Sequence, residues 1–323
     1  MRVPLGRQAG EHAPPAAWAV IALLLLLPRA SWAEEHLRRE TPLVVAAVQL
    51  EVGPEIVASY DAYRDEVRRL TRQAVDGGAA LLVFPEYAGA LLALLPFAWA
   101  LDGAARAEEA LERIRQREPW IRSVRDVFIA GSGVAERAMR DIYGEIAGAL
   151  GVTIVAGTYF AADPRARVLT NRAVVFGPDG ELLYQQDKVL LTEFEEGLGL
   201  APGEMDGARA FEVAGRRVAL TICRDTFLEE WEWQHRAADL WIDLRANGEP
   251  FGPEVAERFE HALPARLLGS GVRHGITVCL TGKLLEFLWE GPSSHLRRGE
   301  TGLESVASAA TWDRGEVMVL RVP

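Results

Sequence analysis

The stretch LVVAAVQL, Leu43 to Leu50, is a nearly continuous apolar run rich in valine, and ALLVF, Ala80 to Phe84, is a second one that ends in Pro85-Glu86. Short apolar runs of this kind suit strands buried on both faces. Between them Tyr60, Tyr63, Val67, Leu70 and Ala74 recur at helical spacing, with arginines and acids at the other positions. That pattern predicts an amphipathic helix, stopped by Gly77-Gly78. Strand, helix and strand with a tight exit make a βαβ unit, which places the chain in the α/β class.

Downstream the pattern changes. Residues 88–140 mix Ala/Leu-rich and Arg/Glu-rich segments, expected to form one or two helices and a long loop. Ile142–Leu150 reads as a helix and Val152–Tyr159 as a strand. Arg172–Phe176 and Glu181–Tyr184 flank Gly177-Pro178-Asp179-Gly180, while Phe211–Val213 and Arg217–Ile222 flank Ala214-Gly215. Each pair predicts a hairpin. Leu240–Leu244, Ile276–Leu280 and Glu316–Val322 read as further strands, and Glu254–Leu268 as a helix. No repeat, linker or composition break follows residue 41, so one domain over 41–323 is expected. Hairpins mixed with βαβ units predict two mixed sheets with helices outside, not one doubly wound sheet.

The 323 residues carry 35 basic and 46 acidic side chains, a net charge of −11, with 49% apolar and 25% charged residues. This is a globular composition. Its acidity argues against nucleic acid as a partner and against attraction to anionic membrane surfaces. Two cysteines make neither a disulfide scaffold nor a four-cysteine zinc site. The six histidines, His12, His36, His235, His261, His274 and His295, form no HExxH pair. There is no phosphate loop and no GxSxG elbow, and Gly197, Gly199 and Gly203 do not fit the dinucleotide spacing. No metal and no cofactor are therefore expected.

Residues 1–33 stand apart. Arg2 and Arg7 precede the apolar run Ala16–Leu27, Pro28 ends it, and Ser31-Trp32-Ala33 is a small-x-small exit. These are the parts of a secretory signal, and the run is too short to span a bilayer comfortably. The body is expected outside the cytoplasm, periplasmic or secreted. Contact with a membrane is expected only if this segment stays uncleaved as an anchor.

Chemistry is sought at the ends of apolar strands, where functional clefts open in α/β folds. Glu86 follows Phe84-Pro85, Lys188 follows the Glu181–Tyr184 run, and Cys223 ends Val218–Ile222. Singly these read as a helix-start acid, a solvated lysine and a small buried hydrophobe. Together they form a set: a carboxylate to take a thiol proton, an ammonium to stabilise thiolate and oxyanion, and a sulfur nucleophile. Such a trio in one dry cleft performs acyl transfer without histidine or metal. Loops 88–140 and 245–253 are expected to wall the cleft, with Arg224, Trp231, Trp233 and Asn247 as candidate lining residues.

The sequence also resembles a family. Phe84-Pro85-Glu86-Tyr87, then Asp187-Lys188-Val189-Leu190-Leu191-Thr192-Glu193-Phe194-Glu195, then Leu220-Thr221-Ile222-Cys223-Arg224-Asp225 resemble, in order and spacing, the three signature blocks of the carbon–nitrogen hydrolase (nitrilase) superfamily. The resemblance takes in Gln49 and Ala238-Asp239-Leu240-Trp241 as well. It implies an α-β-β-α sandwich that pairs into homodimers, or higher homo-oligomers, through its outer helices. It implies Glu86 as general base, Lys188 and the Arg224 N–H as oxyanion donors, and Cys223 as nucleophile, which excludes a Cys223–Cys279 disulfide in an active chain. It also implies a second glutamate near Lys188, for which Glu195 fits the L-T-x-F-E ending better than Glu196. Arg224-Asp225 stands where true nitrilases carry Trp-Glu, which points to a small amide or carbamoyl substrate rather than a nitrile. Gly291-Pro292-Ser293-Ser294 matches the family's late G-x-S element only loosely, and Leu91 to Ala138 matches no block. The same acyl-enzyme could also serve an N-acyltransferase, and an exported binding protein that keeps the fold is the non-enzymatic rival.

Overall fold

Residues 41–163 and 168–323 are described by a computed structural model. The secretory signal expected over residues 1–33 lies outside the described residues.

In chain order the strands are β1 Leu43–Gln49, β2 Glu51–Val52, β3 Leu81–Val83, β4 Thr153–Asp163, β5 Val168–Phe176, β6 Leu182–Asp187, β7 Phe211–Val213, β8 Arg216–Ile222, β9 Leu240–Arg245, β10 His274–Cys279, β11 Thr281–Leu284, β12 Phe287–Trp289, β13 Ser294–Arg298, β14 Leu303–Ser308 and β15 Glu316–Val322. They form two six-stranded sheets, β15-β1-β3-β4-β5-β6 and β14-β13-β10-β9-β8-β7, and a small sheet β12-β11-β2. In the first, β1, β3 and β4 run parallel, while β15, β5 and β6 pair antiparallel. In the second, β8, β9 and β10 are parallel, flanked by antiparallel β7 and β13. Both large sheets are mixed.

The alternation of side chains along a strand explains the continuous apolar runs. Val45 and Ala47 of β1 join Val83, Val155, Leu220 and Ile242 in the core between the sheets. Ala46 and Val48 face the other way, with Val67, Leu70 and Ala74 of the Tyr60–Asp76 helix. On the far side of the second sheet Trp241 packs with Trp231, Leu263 and Leu267. The layers are therefore helix, sheet, sheet, helix. Truncating a leucine in the central layer to alanine typically costs about 2–5 kcal/mol.

Several expectations need correction. Glu254–Leu268 is not one helix but two, Pro253–Glu260 and Leu263–Gly269. Pro264 has no N–H, and its ring collides with the carbonyl four residues earlier in a continuous helix. Residues 88–140 hold more structure than expected: a 3-10 helix Gly89–Phe97 and helices Ala98–Leu101, Ala107–Arg117 and Val124–Met139. The last continues through a π-turn, Arg140–Gly144, into Glu145–Leu150, so the expected 142–150 helix is its final part. β4 and β5 are both longer than read, and strands β11 to β14 were not read at all. At the β7–β8 turn Ala214 and Gly215 both have positive φ, 49° and 79°, the geometry of a tight hairpin. Among the described residues no helix is long and apolar enough to cross a membrane.

Candidate active site

β3 delivers Glu86. Beyond Val83 the chain stays against β4, the Phe84 N–H donating to the Val155 carbonyl at 2.8 Å. The β4–β5 register shifts between Val155 and Thr158. There Gly157, at φ 71°, lets the Pro85 carbonyl approach so closely that a Cβ would sit 2.1 Å from its oxygen. The Tyr87 N–H donates to Thr158 Oγ1 at 2.9 Å, and Tyr87 itself takes φ 64°. The turn after β3 is thus clamped on β4, with Glu86 inside it.

Lys188 is held just beyond β6 by its own backbone: its N–H donates to Asn171 O at 2.8 Å, and its carbonyl accepts from Gly203 N at 2.7 Å. Glu195 lies on the short helix Glu193–Gly197, in a capping box with Thr192. Its Oε2 accepts from the Thr192 N–H (2.7 Å) and hydroxyl (3.0 Å). Cys223 follows β8 at φ 51°, a left-handed conformation that a non-glycine residue keeps only where its surroundings impose it. Asp225 imposes it in part. Its Oδ1 accepts from the N–H groups of Val189 and Leu190, and its Oδ2 from Ile222 N–H, so one carboxylate ties the lysine loop to the cysteine turn.

These elements bring the four nominated side chains together. Lys188 Nζ lies 2.7 Å from Glu86 Oε1 and 2.9 Å from Glu195 Oε2, and all three residues are fully buried. The Cys223 thiol lies near enough to Glu86 for each group to shift the titration of the other. Glu196 has no part in this network. Asn171, on β5, was missed: its Nδ2 donates to Glu86 Oε1 at 3.0 Å and Glu195 Oε1 at 2.7 Å. The Tyr87 hydroxyl donates to Glu195 Oε1 at 2.9 Å, and the Ala246 N–H to Glu86 Oε2 at 3.1 Å. Behind the cysteine, Arg245 pairs with Asp243 at 2.7 Å and reaches Thr226 Oγ1 at 3.0 Å. Asn171 had little readable signal, since it stands between Thr170 and Arg172 in VLTNRAVVF; Tyr87 stood in a quoted block without a role.

Burial pushes the Glu86 carboxyl up to about 7 against the opposing pull of Lys188. Burial also works against the Lys188 ammonium, but Glu86, Cys223 and Glu195 outweigh it and hold the group above the usual lysine range. Glu195 goes the other way from Glu86. Burial raises it, yet Lys188 and the bonds from Thr192 and Asn171 leave it below the ordinary carboxylate value. Burial, then the Glu86 charge, push the Cys223 thiol up to about 12. The resting site is therefore a thiol beside a carboxyl poised near neutrality, with a fixed lysine–glutamate ion pair next to it.

Cys223 and Tyr87 reach the wall of a cavity of about 1,090 Å³; Glu86, Lys188 and Glu195 lie behind them. Arg224 and Asn247 line it as expected. Trp231 and Trp233 do not: the first is buried in the outer core of the second sheet, the second is 69% exposed on the surface. Both cysteines are free. Among the described residues no group of three or more His, Cys, Asp or Glu side chains is placed to hold a metal ion.

A family model, carbon-nitrogen hydrolase, matches residues 44–253. The solved structures that the chain resembles include a cysteine-to-serine mutant of the Nesterenkonia AN1 amidase from the nitrilase superfamily, at 19% identity and TM-score 0.61, covering 88% of this chain and 93% of that one. The cysteine-to-alanine mutant of the same amidase in complex with butyramide gives 21% identity and TM-score 0.57, over 87% and 92% of the two chains. Saccharomyces cerevisiae Nit3, a member of branch 10 of the nitrilase superfamily, gives 20% identity and TM-score 0.59, over 87% and 90%. At these identities the likeness is one of fold. No curated protein is matched by the chain.

Proposed function

The chain belongs to the carbon–nitrogen hydrolase family, and on that premise we propose that it hydrolyses a non-peptide carbon–nitrogen bond, of amide or carbamoyl type, through a thioester on Cys223. Glu86 takes the thiol proton as Sγ attacks the carbonyl carbon. A thiol held near 12 beside a carboxyl near 7 does not ionise in the empty site, so proton transfer accompanies C–S bond formation. Lys188 Nζ and the Arg224 N–H receive the oxyanion. Glu86 returns the proton to the leaving ammonia or amine, and the C–N bond breaks to leave the thioester. Water, deprotonated by Glu86, then releases the acid and the thiol. Glu195 stays ionised and holds Lys188 in place throughout.

The observation that supports this most is the lysine ammonium locked between two carboxylates, 2.7 and 2.9 Å away, directly behind a strained cysteine on a cavity wall. That a mutant of the similar Nesterenkonia amidase forms a complex with butyramide favours an amide over a nitrile. The test is ammonia release from a panel of amides, carbamoyl amino acids and nitriles. Cys223→Ala should lose turnover altogether, and a fully active Cys223→Ala protein would refute the mechanism. Product analysis with an added amine separates hydrolysis from N-acyl transfer. Iodoacetamide labelling of Cys223 distinguishes an enzyme from an inert binding protein.

Two expectations accompany this reading. Residues 1–33 direct the enzyme out of the cytoplasm, which cell fractionation and the mass of the mature amino terminus check. Pairing of two copies through outer helices is checked by sedimentation.

A further inference from the structure

The cavity is far larger than the bond to be cut. About 1,090 Å³ is slightly above the usual range for ligand pockets, roughly 300–1,000 Å³. Butanamide has six heavy atoms; at about 30 Å³ each, the share of a water in the liquid, it fills about a sixth of that space. Much of the remainder is lined by apolar side chains. One wall is Leu94, Phe97, Leu111, Ile114, Val127 and Phe128, from the segment between Leu91 and Ala138 that matched no signature block. A second wall is Leu284, Leu285, Phe287, Leu288 and Trp289, on β11, β12 and the turn between them.

The first wall is built, not incidental. Phe97, Leu111, Ile114 and Val127 pack with Ala100 and Ile121 in a small core of their own, and all are buried. The arginines on the cavity have partners already. Arg224 donates to Leu191 O at 2.9 Å, Arg245 pairs with Asp243, and Arg258 pairs with Glu249 at 2.6 Å. Asn247 Nδ2 donates to the carbonyls of Glu249 and Glu290. Water along the leucine and phenylalanine walls would lack hydrogen-bond partners, so an apolar group replaces it favourably.

We propose that the substrate amide carries a hydrocarbon group of about eight carbons or more, which occupies this chamber while its carbonyl lies at Cys223. The inference rests on the hydrolase reading above and names the substrate class of the same site. The hydrocarbon stands on the acyl side or on the amine side of the C–N bond, and two substrate series tell these apart. Primary alkanamides from butanamide to decanamide lengthen the acyl side; N-alkylacetamides from butyl to decyl lengthen the amine side.

In one series kcat/KM should rise about four-fold per added methylene, the factor given by about 0.8 kcal/mol per buried CH₂ and 1.36 kcal/mol per ten-fold. Values that stay flat or fall with length in both series overturn the proposal. Calorimetric binding of the same compounds to Cys223→Ser protein reads the chamber without chemistry. If no compound is turned over but affinity climbs with length, the hydrolase reading has failed and the chamber assignment stands. If short amides are turned over but neither kcat/KM nor affinity climbs, the reverse holds. Ile114→Trp fills the chamber, so the climb should stop at a shorter chain than in the parent, with near-UV circular dichroism confirming a folded protein. An unchanged stopping point counts against the proposal.

Discussion

Glu86 has to be ionised to accept the Cys223 proton, and burial holds its carboxyl near 7. Activity should therefore rise with pH through about 7, so that kcat/KM at pH 5.5 is roughly 30-fold below its plateau, following the ionised fraction of a single group. That midpoint belongs to the coupled cluster and not to one side chain. Asn171→Ala removes a neutral side chain that donates to both carboxylates. Losing a donor to the charged form raises a carboxyl pKa. The acid limb should move to higher pH while kcat drops about ten-fold, a shift that a merely packing role for Asn171 would not produce. Both effects are read from pH–rate profiles of the parent and the variant. Glu86, Lys188 and Cys223 were legible because each is a charged or reactive group at the end of a strand, in an order that a family shares; Glu195, on a short helix, was legible only through that resemblance. Asn171 and Tyr87 were not, because a polar side chain in or beside a strand reads the same whether it faces a site or a backbone carbonyl.

The elements carry the site through backbone contacts. Gly157→Ala puts a methyl group 2.1 Å from Pro85 O at a φ of 71°. The turn that holds Glu86 must move or β4 must reopen. The expected loss is at least about 2 kcal/mol in urea unfolding, from the strained φ and the collision together, with a fall in kcat at saturating substrate. A variant as stable and active as the parent would show that the clamp does not position Glu86. Elements whose burial is lopsided or complete were readable: β1, β3, β8, β9 and the Tyr60–Asp76 helix have clean apolar patterns. β14, LESVAS, is largely exposed, and β12 is half-buried along its length, so neither leaves a hydrophobic period in the chain. The split at Pro264 was written in the sequence, but a helical pattern on both sides of it obscured the break.

For the molecule as a whole, acid stability depends on buried histidine. His235 lies between Trp231 and Trp241, its Nε2 3.0 Å from Leu220 O and its Nδ1 without a hydrogen-bond partner among the described residues. Burial lowers its pKa to about 4. A histidine depressed in the folded state gives stability that is complete above its unfolded value of about 6.5 and is lost as pH falls through 4. Glu86 and Asp225, both pushed up to about 7 by burial, act in the opposite sense, losing their contribution as pH rises through 7. The difference between parent and His235→Gln isolates the histidine: between pH 6.5 and 4 the variant should lose less stability than the parent, by up to about 3 kcal/mol. Urea midpoints across that range check it, and parallel curves would exclude His235 as the cause.

β15 is the antiparallel neighbour of β1 along its full length, Leu43 opposite Val322 and Gln49 opposite Glu316. The buried Gln49 amide adds bonds to the carbonyls of Thr311 and Arg314 and accepts from Ser293 N–H. Until residues 293–322 have been synthesised, β1 presents a bare row of amides and carbonyls, the kind of margin on which chains aggregate. Joining partners so remote along the chain also makes closure slow. The nascent protein therefore stays unsealed until residue 322 has emerged, which gives holdase chaperones a long interval in which to capture it before it locks.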